Sequence, residues 1–200
     1  MLKLHKTIES NSALLIFGIL IVVSIGGFVQ IVPNLFDESL HKGTENVKPY
    51  TALQLTGRDI YIREGCVGCH SQQVRPLVAE VMRYGPRSKA GEHIYDRPFL
   101  WGSKRTGPDL ARLGGKYSDK WHELHLINPR AVVPPSIMPA YPWLAKNKVK
   151  KDTVIAKMTL LQSMGHPYTD DEVKNAERMI EGKTEMQAII AYLQTLGTFR

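Results

Sequence analysis

Cys66 and Cys69 are the only two cysteines in the chain, and His70 follows directly, so residues 66–70 read Cys-Val-Gly-Cys-His. The pattern C-x-x-C-H is the attachment signature of a c-type haem. Two thiols at this spacing reach both vinyl groups on one edge of a porphyrin, and the next residue offers an imidazole nitrogen to the iron as proximal axial ligand. Gly68 keeps the turn between the thiols small. A chain that uses this motif for haem is expected to fold around a flat apolar macrocycle. Other uses of the two thiols fit less well. A structural zinc site takes four ligands, often with a second Cys or His pair, and there is no second C-x-x-C. A redox pair of the thioredoxin kind sits beside a βαβ pattern, and none is visible. A disulfide between such close cysteines would close almost no loop and stabilise little.

A second feature governs location. From Ser10 to Phe36 there is no charged side chain, and Ala13 to Val32 is almost wholly apolar. Twenty helical residues at about 1.5 Å each span about 30 Å, the thickness of a bilayer core. A signal peptide would have a shorter apolar region and a small-x-small cleavage site. Here Gln30, Pro33, Asn34 and Phe36 follow the run instead, so an uncleaved anchor over about 13–32 is expected. Gly18, Gly26 and Gly27 offer small surfaces to another transmembrane helix. Lys3 and Lys6, partly offset by Glu9, place the N-terminus on the cytoplasmic side, which agrees with haem c attachment on the positive side of bacterial membranes. The expected domains are therefore an anchor at 1–36, a polar linker at 37–50 and a periplasmic domain at 51–200. The net charge of +7 is scattered and lacks any basic-aromatic module, so no nucleic-acid partner is expected.

Past the linker, Thr51 to Glu64 has helical spacing and delivers the chain to Cys66. Ser71 to Arg105 has no sustained periodicity and reads as a long surface excursion. Arg75, Trp101 and Arg105 within it are candidates for pairing with haem propionates. In Thr106-Gly107-Pro108-Asp109-Leu110, the Pro108 carbonyl is a candidate acceptor for the second ring nitrogen of His70, an arrangement that fixes a ligating imidazole. A short helix is expected over Ser118–Ile127, capped by Ser118 or Asp119. Prolines 129, 134, 135, 139 and 142 then forbid a regular helix or central strand. Met138 sits inside this stiff loop, and its thioether is a neutral ligand suited to the sixth position of haem iron. Histidine alternatives are His93, His122, His125 and His166, with His122 and His125 at i, i+3 on the expected helix. Lys146 to Gly165 reads as an amphipathic helix, Asp170 to Gly182 as charged and mostly solvated. Glu185 to Leu196 reads as an apolar-striped helix ending at Gly197. That last helix can cross the one before Cys66, with Tyr192 against Gly57.

These elements together resemble class I cytochromes c: a helix into CVGCH, then TGPDL, then SIMPAY, then the closing AIIAYLQTLG. The strings YIREGCVGCHSQQVRP, WGSKRTGPDLARLGGKYSDKWH and NPRAVVPPSIMPAYPWL more specifically resemble the mono-haem cytochrome c subunit, subunit II, of cbb(3)-type cytochrome c oxidase, a C-family haem-copper oxidase. The likeness covers nearly the whole chain. It implies a mainly α protein in which one N-terminal transmembrane helix precedes a class I cytochrome c fold. Relative to small soluble cytochromes, that fold carries long insertions at Gln72–Lys104 and Trp143–Thr184.

The resemblance further implies one covalent haem c on Cys66 and Cys69, with His70 and Met138 as axial ligands. Single electrons would pass from a soluble or membrane cytochrome c, or a di-haem companion subunit, to a large haem b/copper catalytic subunit that reduces oxygen and pumps protons. Such a chain is an electron-transfer subunit of an oxidoreductase in the bacterial inner membrane, with no active site of its own. Two other readings compete: a free-standing anchored cytochrome shuttle, and a haem-based gas sensor in which Met138 is displaced.

Overall fold

The computed structural model describes residues 2–198, leaving aside the side chains of Leu2 and Lys3. The Lys3 side chain of the orientation argument and the last two residues of the expected domain thus lie outside the described residues. The chain divides into two units, Met1–Lys42 and Gly43–Arg200. In the first, α1 (Leu2–Ser10) is followed by α2 (Ser12–Phe36) and the short α3 (Glu38–His41). The Asn11 side chain starts α2 by accepting from the backbone N–H groups of Ala13 and Leu14, at 3.1 and 3.2 Å. α2 is apolar along most of its length and none of its side chains is buried within the protein. Its 25 residues are long enough to cross a bilayer core. It runs one residue earlier and four later than the expected anchor, because Pro33 and Asn34 continue the helix.

In the second unit, α4 (Ala52–Arg63) opens on a reciprocal cap. Thr51 Oγ1 accepts from the Gln54 N–H, and Gln54 Oε1 accepts from the Thr51 N–H at 2.9 Å. α4 stops at Gly65, whose φ of 75° suits the left-handed position that ends many helices. A 3-10 turn over Cys66–Gly68 follows at once. α5 (Val78–Tyr84) lies in the first insertion. Next come α6 (Asp119–Ile127) and the single turn α7 (Pro129–Val132). The second insertion holds α8 (Val154–Ser163), α9 (Asp170–Lys174) and α10 (Ala176–Ile180), and α11 (Glu185–Leu193) closes the unit. No strand is formed among the described residues beyond one isolated bridge, Lys148 to Thr184.

The core is built on the crossing of α4 and α11. A Cβ at Gly57 would stand 1.9 Å from the carbonyl oxygen of Ala188 and 2.9 Å from Tyr192 Cβ. Only hydrogen at this position lets the helix backbones approach so closely. Tyr192 is fully buried and packs against Tyr50 and Tyr61, at ring-centre distances of 5.6 and 5.5 Å. Its hydroxyl donates to Gln72 Oε1 at 3.0 Å, which supplies the partner that a buried phenol needs.

Three segments differ from the sequence reading. Residues 44–50, expected as linker, are tied into the second unit: the Thr44 N–H donates to Gly91 O at 3.1 Å and Tyr50 is buried. The region Ser71–Arg105 is more than surface, since Ser71, Gln72, Val74 and Leu100 are buried. Buried Asp96 accepts from Arg58 Nε at 3.2 Å and from the Tyr50 hydroxyl at 2.9 Å, and pairs with His93 at 2.8 Å. In the expected helix Lys146–Gly165, only the second half is helical. Residues 146–153 form no helix, and the Val149 N–H donates to Lys183 O at 3.0 Å. Asp170–Gly182 likewise buries Val173, Ala176 and Ile180 beneath its charged face.

Candidate haem site

The end of α4 sets Cys66 inside and Cys69 outside: the first is buried, the second exposed. Backbone bonds fix the turn, with the Cys69 and His70 N–H groups both donating to Cys66 O, at 3.1 and 2.9 Å. Burial pushes the Cys66 thiol up to about 11, aided by the carboxylate of Glu64.

The segment Thr106–Leu110 is stitched to the residues after His70. The Gly107 N–H donates to Cys69 O at 2.9 Å, and the Leu110 N–H to Ser71 O at 2.8 Å. Buried Asp109 accepts from the Ser71 hydroxyl at 2.6 Å and from the Gln73 and Ala111 N–H groups, both at 2.9 Å. These bonds bring the Pro108 carbonyl oxygen to 2.8 Å from His70 Nδ1. A carbonyl only accepts, so Nδ1 carries the proton and Nε2 keeps its lone pair. Burial holds His70 below its ordinary value, opposed by the Pro108 carbonyl and the Asp109 carboxylate. Gly107 lies flat against the ring: a Cβ there would be 2.3 Å from His70 Cε1.

Met138 approaches on the proline loop. Its N–H donates to Ser136 Oγ at 3.2 Å, and the Tyr141 N–H anchors the loop to Leu126 O of α6 at 2.7 Å. Met138 is half-buried against the core.

Cys66, Cys69, His70, Pro108 and Met138 all line one cavity of about 420 Å³, within the size range of small-molecule and cofactor pockets. Leu110, Leu126, Ile189 and Leu193 make much of its wall. A haem fits this setting on three counts: the wall is apolar, His70 Nε2 is free to ligate, and two thiols and a thioether stand in the same wall. The proposed propionate partners lie elsewhere. Arg75, Trp101 and Arg105 are not among the lining residues. Both arginines pair with buried Glu80, Arg105 at 2.6 Å, and Trp101 stacks on Phe99 at 4.9 Å. His93 and His166 also lie outside the cavity, whereas His122 and His125 line it. Sequence reading offered those two only as alternatives to Met138. The available signal was the spacing of Trp121, His122, His125 and Leu126, which puts all four on one side of α6.

A helical shell around such a cavity, with a single apolar helix ahead of it, is the architecture of an anchored class I cytochrome c. A family model described as cytochrome c oxidase, mono-heme subunit/FixO matches residues 5–184, and the chain belongs to that family. No curated protein matches the chain. Membership implies one haem and association with other oxidase subunits.

Proposed function

We propose that the chain is the electron-relay subunit of a cbb(3)-type cytochrome c oxidase, carrying one haem c between a donor cytochrome and the haem b/copper catalytic subunit. The observation that carries this reading is the bond between His70 and Pro108, set in a cavity wall that also holds Cys66, Cys69 and Met138. When bound, the haem supplies a one-electron couple at its iron. Cys66 and Cys69 would hold it covalently, and His70 Nε2 and Met138 Sδ would be the donors to its iron. Pro108 fixes the imidazole plane, and Asp109 fixes Pro108 through its three hydrogen bonds. The aliphatic wall would shield the bound group from water, and the Pro108 bond and the proline loop would keep His70 and Met138 in place. Met138 in place of a second histidine raises the potential, which suits a carrier that feeds an oxygen-reducing centre.

On this reading catalysis belongs to the assembled complex, and residues 51–200 form the periplasmic cytochrome domain behind a single-pass anchor in the bacterial inner membrane. The test is a reduced-minus-oxidised spectrum of the full chain captured in mild detergent through its own tag. Haem c with haem b in fixed ratio, together with oxygen uptake, supports the oxidase subunit. Haem c alone through several gentle detergents points to the free-standing shuttle. Carbon monoxide binding by the reduced chain alone points to the sensor and counts against Met138 as ligand.

A further inference from the structure

α6 presents two imidazoles to the cavity that neither attachment nor ligation uses. His122 is 2% exposed, and its Nε2 has no hydrogen-bond partner; the buried Nδ1 of His125 has none either. Those two nitrogens have no accessible surface and face packed protein. A buried N–H without an acceptor is costly, so each ring carries its proton on the other nitrogen, His122 Nδ1 and His125 Nε2, in side chains that line the cavity. Both rings are held in place. His125 stacks on Trp121 at 4.7 Å and 11°, and Trp121 stacks on Tyr117 at 3.9 Å and 14°. His122 meets Tyr117 and Trp121 edge-on, at 6.1 and 5.4 Å. Such packing holds both rings in place before any ligand arrives.

Haem brings two carboxylates with an otherwise apolar macrocycle. Among the described residues that line the cavity there is no Lys or Arg, and His70, His122 and His125 are the only basic side chains. His70 has one nitrogen on Pro108 and, in the proposed function, the other on iron. Arg75 and Arg105 are turned to Glu80. We infer that His122 and His125 donate hydrogen bonds to the haem carboxylates, which makes α6 the element that holds that edge of the cofactor. A neutral imidazole has one N–H to give, and a carboxylate in an apolar cavity needs such donors. The inference rests on the reading of the cavity as the haem site.

The test uses the full chain in its detergent-solubilised complex. H122F and H125F fill the ring volume without a donor; H122N and H125N keep an N–H. Resonance Raman reads the propionate bending modes, and redox titration reads the midpoint potential. The phenylalanine variants are expected to shift the propionate modes and to lower the potential, because a carboxylate without its donor favours the oxidised iron. The asparagine variants are expected to return both toward wild type. H122A and H125A provide the same reading where phenylalanine blocks haem loading. Unchanged modes and potential in a fully haem-loaded double variant would overturn the inference and leave the carboxylates to solvent. Absence of haem c from the wild-type chain would instead overturn the reading of the cavity itself.

Discussion

Gly107 shows how one residue constrains the site. Its missing side chain is the space in which the His70 ring lies, so G107A should push the imidazole off its bond to Pro108. The expected result is a covalent haem with weakened proximal ligation, read as carbon monoxide binding by the reduced protein that wild type lacks. Spectra identical to wild type would mean that His70 is not held by this contact. Gly57 is constrained by backbone instead. G57A places a methyl group into the Ala188 carbonyl, and an overpacking cost of about 3 kcal/mol is expected, measured as a lower denaturation midpoint. Glu80 carries a pH signature. Arg105, and then Arg75, hold its carboxyl down to about 2, against the opposing effect of burial. A carboxyl lowered on folding contributes stability above its ordinary value of 4.5, and loses it as the pH falls toward 2. Acid unfolding of E80Q should therefore lack a component between those two values; an unchanged pH profile would contradict the pairing. Cys66, Cys69, His70, Pro108 and Met138 were singled out by local signals, motif spacing and proline geometry, and the structure brings all five to one cavity wall. The setting of Glu80 gave no such signal, because its arginine partners Arg75 and Arg105 lie 30 positions apart in a segment without periodicity.

At the scale of elements, the helices with strong local signals were the legible ones. α4, α6 and α11 begin at Thr51, Ser118 and Thr184, each a side chain that accepts from a backbone N–H inside the first turn. For α11, Thr184 Oγ1 accepts from the Gln187 N–H at 3.2 Å, and Gln187 Oε1 accepts from the Thr184 N–H at 3.0 Å. T184A should lower stability by about 1 kcal/mol, seen as a reduced thermal midpoint with an unchanged visible spectrum. A spectral change would mean that α11 is more directly tied to the cavity than its cap suggests. The expected helix at Lys146–Gly165 failed in its first half because Lys148 and Val149 pair their backbones with Thr184 and Lys183. That pairing spans more than 30 residues and leaves no trace in local periodicity. It overrides the modest helix propensity of the lysine-rich run.

For the molecule as a whole, the two units divide two tasks. One supplies a helix long and apolar enough to cross a membrane, and the other builds a cavity whose wall gathers residues from 61 to 193. The overall plan of anchor followed by helical domain was readable from the apolar run and the C-x-x-C-H motif. The true edge of the second unit was not, because residues 43–50 are mostly polar, yet Thr44 is bonded to Gly91 and Tyr50 to Asp96 and Tyr168. The first insertion also hid its buried charges, such as Asp96 against Arg58, since charged side chains read as solvated when their partners are distant in sequence. The most direct test of the account is the intact mass of the denatured chain after acid–acetone extraction, which strips haem that is not covalently bound. One haem retained on wild type, and none on C66A/C69A, is the predicted result. Wild-type chain that emerges at its bare polypeptide mass would contradict the claim that this cavity holds a covalent haem.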